Sequence, residues 1–204
     1  MINRLCKLAV LLTCVSLMVM TGCTGTSESS RFYMLKGLPN TESAQYTAAA
    51  AKGLSIGVGP MEIPKYLDRP QIVTRAGGSK LELGEFDKWA GSLKDDIPRV
   101  LAENLSVLLS TDRVVTFPWR RSGRIDYQIR GDVIRFDGEL GESASLIVRW
   151  MILGGEEKTP FLMRKSSFTE PVEGRSYDAL VSAQSRVLES LSKEIAKEIK
   201  ALSR

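Results

Sequence analysis

The sequence predicts an α+β fold, a two-layer sandwich in which a mainly antiparallel sheet carries its two main helices on one face. Three observations predict it. Short runs that alternate apolar and polar residues recur from Phe32 to Phe168, and each is bounded by glycine, proline or charged clusters. Only two stretches, Trp89 to Leu109 and Tyr177 to Leu202, switch to a helical period. Strands closed by two helices, without internal repeats or heptads, suit a layer of helices against one sheet.

In chain order, Phe32 to Leu35 is apolar enough for a buried strand, and residues 37–53 form a polar, alanine-rich loop with at most a helical turn. Leu54, Ile56 and Val58 alternate with small residues as a second strand, which Gly59-Pro60 is expected to end. "MEIPKYLDRP" (Met61 to Pro70) is too proline-rich for a helix and reads as extended and turn-rich. Gln71 to Arg75 and Lys80 to Phe86 flank Gly77-Gly78 as a hairpin. The first helix carries Trp89, Leu93, Ile97, Leu101, Leu105 and Leu108 on one stripe. Pro98 predicts a kink, or a true start near Asp95-Asp96, whose charges favour a helix N-terminus. Arg113 to Phe117 is a strand stopped by Pro118-Trp119. Tyr127–Phe136, Ser143–Leu153 and Thr159–Phe168 form an antiparallel meander, and Tyr177 to Leu202 closes the chain as a long amphipathic helix.

The amino terminus does not belong to this domain. Arg4 and Lys7 precede an apolar run, Leu8 to Met20, of signal-peptide length, and Thr21-Gly22-Cys23 follows. Met-Thr-Gly-Cys resembles a bacterial lipobox. That resemblance implies cleavage after residue 22 and a covalent N-acyl diacylglycerol on Cys23, with no other cofactor. The alternative is an ordinary secretory signal with an incidental cysteine. Thr24, where an aspartate would favour the inner membrane, implies the periplasmic face of the outer membrane in a Gram-negative cell. The organisation expected is thus a signal peptide at 1–22, a lipidated cysteine with flexible tether at 23–30, and one domain at 31–204.

Composition narrows the chemistry. The precursor has 28 basic and 24 acidic side chains, and loss of Arg4 and Lys7 leaves only a mild positive balance, which does not argue for nucleic acid. Of three cysteines, Cys6 and Cys14 leave with the signal and Cys23 is taken by lipid, so no disulfide is expected. Histidine is absent, which removes Ser-His-Asp and Cys-His catalysis and any His-bearing zinc site. Gly57-Val58-Gly59-Pro60 fails as a dinucleotide loop because Glu62 stands where the third glycine should be. Asp95-Asp96 and Glu156-Glu157 are sequence neighbours, which do not face each other across a substrate. No catalytic residue, metal site or enzyme emerges.

Two features are candidates for a partner interface. Tyr66-Leu67-Asp68-Arg69 lies in a proline-locked loop that would lose little entropy on docking, although the same loop could simply brace the chain. Trp119 with Arg120 and Arg121 could meet a partner or lipid head groups. The bland alternative packs Trp119, like Trp89, into the core and leaves the arginines solvated.

"RFYML", "IGVGPMEIPKYLDRPQIVTR", "FDKWAGSL", "VTFPW" and "SYDALVSAQSRVLESLSKEIA" follow one another as in the ABC-type transport auxiliary lipoproteins, the PqiC/YmbA-like family. The likeness spans essentially the whole chain, and Pro64 to Arg75 is its most specific part. The resemblance implies an outer-membrane lipoprotein that forms a homo-oligomeric ring and receives the tip of a periplasmic tube built by an MCE-domain protein. Such systems move phospholipid between membranes. Two other functions fit an anchored domain: a lipid carrier with its own cavity, and an assembly pilot for an outer-membrane barrel or secretin.

Overall fold

The computed structural model describes residues 28–39, 53–119, 123–154 and 159–203. The expectations placed on the signal peptide, Cys23, the loop at 40–52 and Arg120-Arg121 lie outside them. Eight strands and two helices follow in the order β1 (Arg31–Tyr33), β2 (Ile56–Glu62), β3 (Gln71–Arg75), β4 (Leu81–Trp89), α1 (Leu93–Leu109), β5 (Val114–Thr116), β6 (Tyr127–Gly138), β7 (Ser143–Gly154), β8 (Thr159–Pro171) and α2 (Tyr177–Leu202). The fold is α+β as expected, but the sheet is mixed. The β3–β4 hairpin and the β6–β7–β8 meander are antiparallel, whereas β1 pairs β4, β2 pairs β5 and β2 pairs β6 in parallel. Local alternation marks a strand but not its partner's direction, and every parallel pair here joins segments distant in the chain.

One long strand organises the sheet. β6 pairs β7 along its length, while its other edge meets β2 through Asp132 and β3 at Gly138. The shared strand therefore curls the sheet. Gly138 allows the crossing, because a Cβ there would lie 2.6 Å from the Ser143 carbonyl oxygen and 2.9 Å from the Ala144 Cα.

Three local expectations change. β2 runs on through Gly59-Pro60 to Glu62, since a register shift between Val58 and Met61 absorbs both the missing Pro60 N–H and the positive φ of Gly59. Trp89 ends β4 instead of opening the helix; its N–H donates to the Pro70 carbonyl, and Ala90 N–H to Tyr33. The helix starts at Leu93, ahead of Asp95-Asp96, and contains Pro98 in its second turn, where one backbone bond is forgone.

The helix-facing side of the sheet is the core. Ile129, Val133 and Phe136 of β6 and Leu146, Val148, Trp150 and Ile152 of β7 are buried there against the stripes of α1 and α2. Ser176 caps α2 by accepting from the Ala179 N–H, and Trp150 donates its indole N–H to Ser166. The segment after β1 straps both helices. Asp96 of α1 accepts from the Leu35 N–H, Ser185 of α2 from Lys36, and Asn104 of α1 from Leu38, while Asn104 also donates to Ser192 of α2. The chain after β1 is thus fastened to the helix layer within a few residues.

Candidate partner-docking face

The helices cover one face of the sheet, and the opposite face is open. Strand alternation carries Arg130, Asp132, Arg135 and Asp137 of β6 to that face, opposite Met151, Arg149, Ile147 and Ser145 of β7. Register on β8 adds Met163 and Lys165. Arg149 donates to Asp132 across the strands at 2.8 Å, and both remain exposed. Between β2 and the meander lies a cleft of about 410 Å³, lined by Pro60, Glu62, Arg130, Asp132, Arg149 and Met163 among others. Charged walls around methionine and proline suit a polypeptide surface, which offers both kinds of group.

At one end of this face sits a buried carboxylate. Asp137 has no exposed side-chain surface, and four donors converge on it. Arg75 gives Nε at 2.8 Å and Nη2 at 3.0 Å, Arg135 gives Nε at 2.7 Å, and the Tyr66 hydroxyl donates at 2.9 Å. Burial alone would push the carboxyl pKa up. The bonds from Arg75, Arg135 and Tyr66 outweigh it and hold the group below its ordinary value. Burial, together with the hydrogen bond to Asp137, pushes the Tyr66 phenol up to about 12.

This node fixes the proline-locked loop. Of the four residues expected at an interface, Leu67 is 2% exposed in the core and Tyr66 is half-buried with its hydroxyl on Asp137, whereas Asp68 and Arg69 are exposed. Short-range bonds from Leu67 N–H to Pro64 and from Arg69 N–H to Leu67 hold their backbone. Asp137 orients Tyr66: a buried carboxylate draws in the nearest phenol.

Trp119 lies at the other end. Its ring stands edge-on to Phe117 at 5.2 Å, and it is half-buried. The glycines that invite a dinucleotide reading seat this pair. A Cβ at Gly57 would be 3.1 Å from Trp119 Cζ3, and one at Gly59 would be 2.9 Å from Phe117 Cβ. Gly57 pairs Gln128, so nine residues of β6, roughly 30 Å of strand, separate Trp119 from the Asp137 node. The two predicted site segments share a face but not a site. Trp89, by contrast, is a core residue.

Sequence reasoning missed Asp137, Arg75 and Arg135. Arg135 and Asp137 stand two apart in an alternating strand, which is the one local sign that they share a face. Nothing local shows that Arg75, 62 residues away, completes the cage.

Together these features define a class: an α+β domain with its helices on one side and a charged, aromatic-flanked sheet face left for contact. The chain belongs to the family of ABC-type transport auxiliary lipoprotein components, whose model matches residues 33–196. Among solved structures, a Xanthomonas campestris protein of the DUF330 family is similar at 18% identity and TM-score 0.68, over 85% of this chain and 97% of that one. A second, described only as an uncharacterized protein, has the same identity and TM-score over 84% and 99%. A PelC dodecamer from Paraburkholderia phytofirmans is more distant, at 16% identity and TM-score 0.47 over 75% and 91%. No curated protein sequence matches the chain.

Proposed function

We propose that this lipoprotein is the outer-membrane accessory component of a trans-envelope, MCE-type phospholipid transport system, and that its open sheet face docks the periplasmic tube. Membership of an ABC-type transport auxiliary family supports the transport role. The observation that carries the docking role is the open face itself, where Arg130, Asp132, Arg149 and Met163 surround a cleft while the helices occupy the other side. Lipid on Cys23 would hold that face near the membrane and raise its effective concentration for the tube tip. A homo-oligomeric ring would multiply this contact around the tube axis.

The carrier alternative has less support. The space between helices and sheet is filled by side chains such as Phe136, Leu146 and Ile195 at zero exposure. Purification of the full-length lipoprotein from detergent-solubilised envelopes tests the proposal. An MCE-domain protein should co-purify with the wild type and be lost from Arg149→Glu. Stoichiometric phospholipid without any such protein would favour the carrier, and a barrel or secretin partner would favour the pilot.

A further inference from the structure

The tether leaves the domain beside an apolar strip that no part of the described fold covers. Arg31 and Tyr33 turn toward Asp87 on the helix side, where Tyr33 also lies 6.4 Å from Tyr177 of α2. Alternation therefore puts Phe32 on the opposite side, beside its register partner Lys88. Lys88 also faces Gln71; past a register shift, Val73, itself buried, faces Leu83, with Leu81 next on the same side opposite Arg75. Phe32, Leu83 and Leu81 are 66%, 46% and 37% exposed. Three large apolar side chains in one strip are more than scattered surface residues require.

We infer that Phe32, Leu83 and Leu81 form a bilayer-contact strip that lies in the interfacial region of the membrane to which Cys23 is anchored. The inference rests on the lipid-anchor reading of Cys23. Chain length commits the occupant: only nine residue steps separate Cys23 from Phe32, at most about 30 Å of extended chain. Phe32 is therefore held within reach of the lipid. A cation suited to a head-group layer stands beside it: Lys88, the register partner of Phe32, reaches back to Ser30 at the tether exit. Lysines extend along apolar surface and keep their ammonium groups in the polar layer. An N-acyl diacylglycerol carries several acyl chains and anchors the chain by itself, so the added apolar burial serves to seat the domain on the bilayer. The strip also orients the molecule. Met163, 67% exposed, sits on the same sheet but at the far part of β6–β8, opposite Met151 and Arg130, and stays in water.

The test uses the mature lipidated protein in vesicles of phosphatidylethanolamine and phosphatidylglycerol. If Cys23 carries lipid, an introduced cysteine is the sole free thiol of the mature chain, so Phe32→Cys, Leu83→Cys and Met163→Cys each take one nitroxide label. All three positions are exposed, and matching melting curves confirm intact folds. Labels at 32 and 83 should collide more often with lipid-soluble oxygen than with a water-soluble nickel chelate, and the label at 163 should show the reverse. Nickel-accessible labels at 32 and 83 in a lipidated, vesicle-bound protein would overturn the strip and leave the anchor standing. Labels shielded from both probes would assign the strip to a second protein and overturn the inference. Two labels per chain with no vesicle binding would show Cys23 unmodified, and both readings would fall.

Discussion

Asp137 shows what a single residue contributes. Its carboxylate has traded water for two guanidinium groups and a phenol, and removing it leaves Arg75 and Arg135 without their shared counter-charge. Loss of one partner from such a buried set typically costs 3–5 kcal/mol, so Asp137→Ala is expected to destabilise by about 3–5 kcal/mol in chemical denaturation. The folded pKa lies below the ordinary 3.8. The stabilisation is then complete above that value and is lost as pH falls through the folded pKa. Wild type should lose stability below about pH 4, and Asp137→Asn should show a flatter acid limb over that window. A profile unchanged by Asn would remove the carboxylate from this role. Tyr66→Phe, which deletes one bond to a charged acceptor, is expected to cost roughly 1.5–3 kcal/mol. Arg69→Ala should leave the melting temperature unchanged and weaken only association. That split separates brace from anchor inside four consecutive residues.

At the scale of elements, β6 explains most of the architecture. It needs Gly138 where it passes from one strand partner to the next, because the atoms a Cβ would strike there include backbone. Gly131 differs, since a Cβ there meets the flexible end of Met61. Gly138→Ala is therefore expected to cost about 1–3 kcal/mol, and Gly131→Ala less than about 1 kcal/mol, in thermal melts of the same preparation. Equal losses would place the curl of the sheet elsewhere. Elements also mark what sequence can carry. The long helix Tyr177–Leu202 and the strands around Gly77-Gly78 were legible because their signal is local: a continuous 3.6-residue stripe, and a glycine turn between alternating runs. The extension of β2 through Pro60 was not, because it depends on a bulge against β6. Trp89 begins an apolar spacing that looks helical, yet its backbone is claimed by Pro70. The parallel β1–β4 pair joins residues more than fifty positions apart and leaves no periodic trace.

The whole molecule has two unlike sides. The strap of Leu35 to Leu38 across Asp96, Asn104 and Ser185 fastens the chain after β1 to both helices. The open face is left with a cleft, mixed charge and exposed methionine. The segments singled out from composition, Trp119 and Tyr66 to Arg69, do not line the cleft. Its lining was not legible, because Arg130, Arg149 and Met163 become neighbours only through strand register. The proposed function requires that this face, and not the helix layer, receive the transport partner. Photo-crosslinking in living cells tests it most directly, with benzoylphenylalanine replacing Met163 on the open face or Lys197 on the exposed side of α2. An adduct with an MCE-domain protein is expected from position 163 and none from position 197. An adduct from 197 alone would contradict docking at the open face.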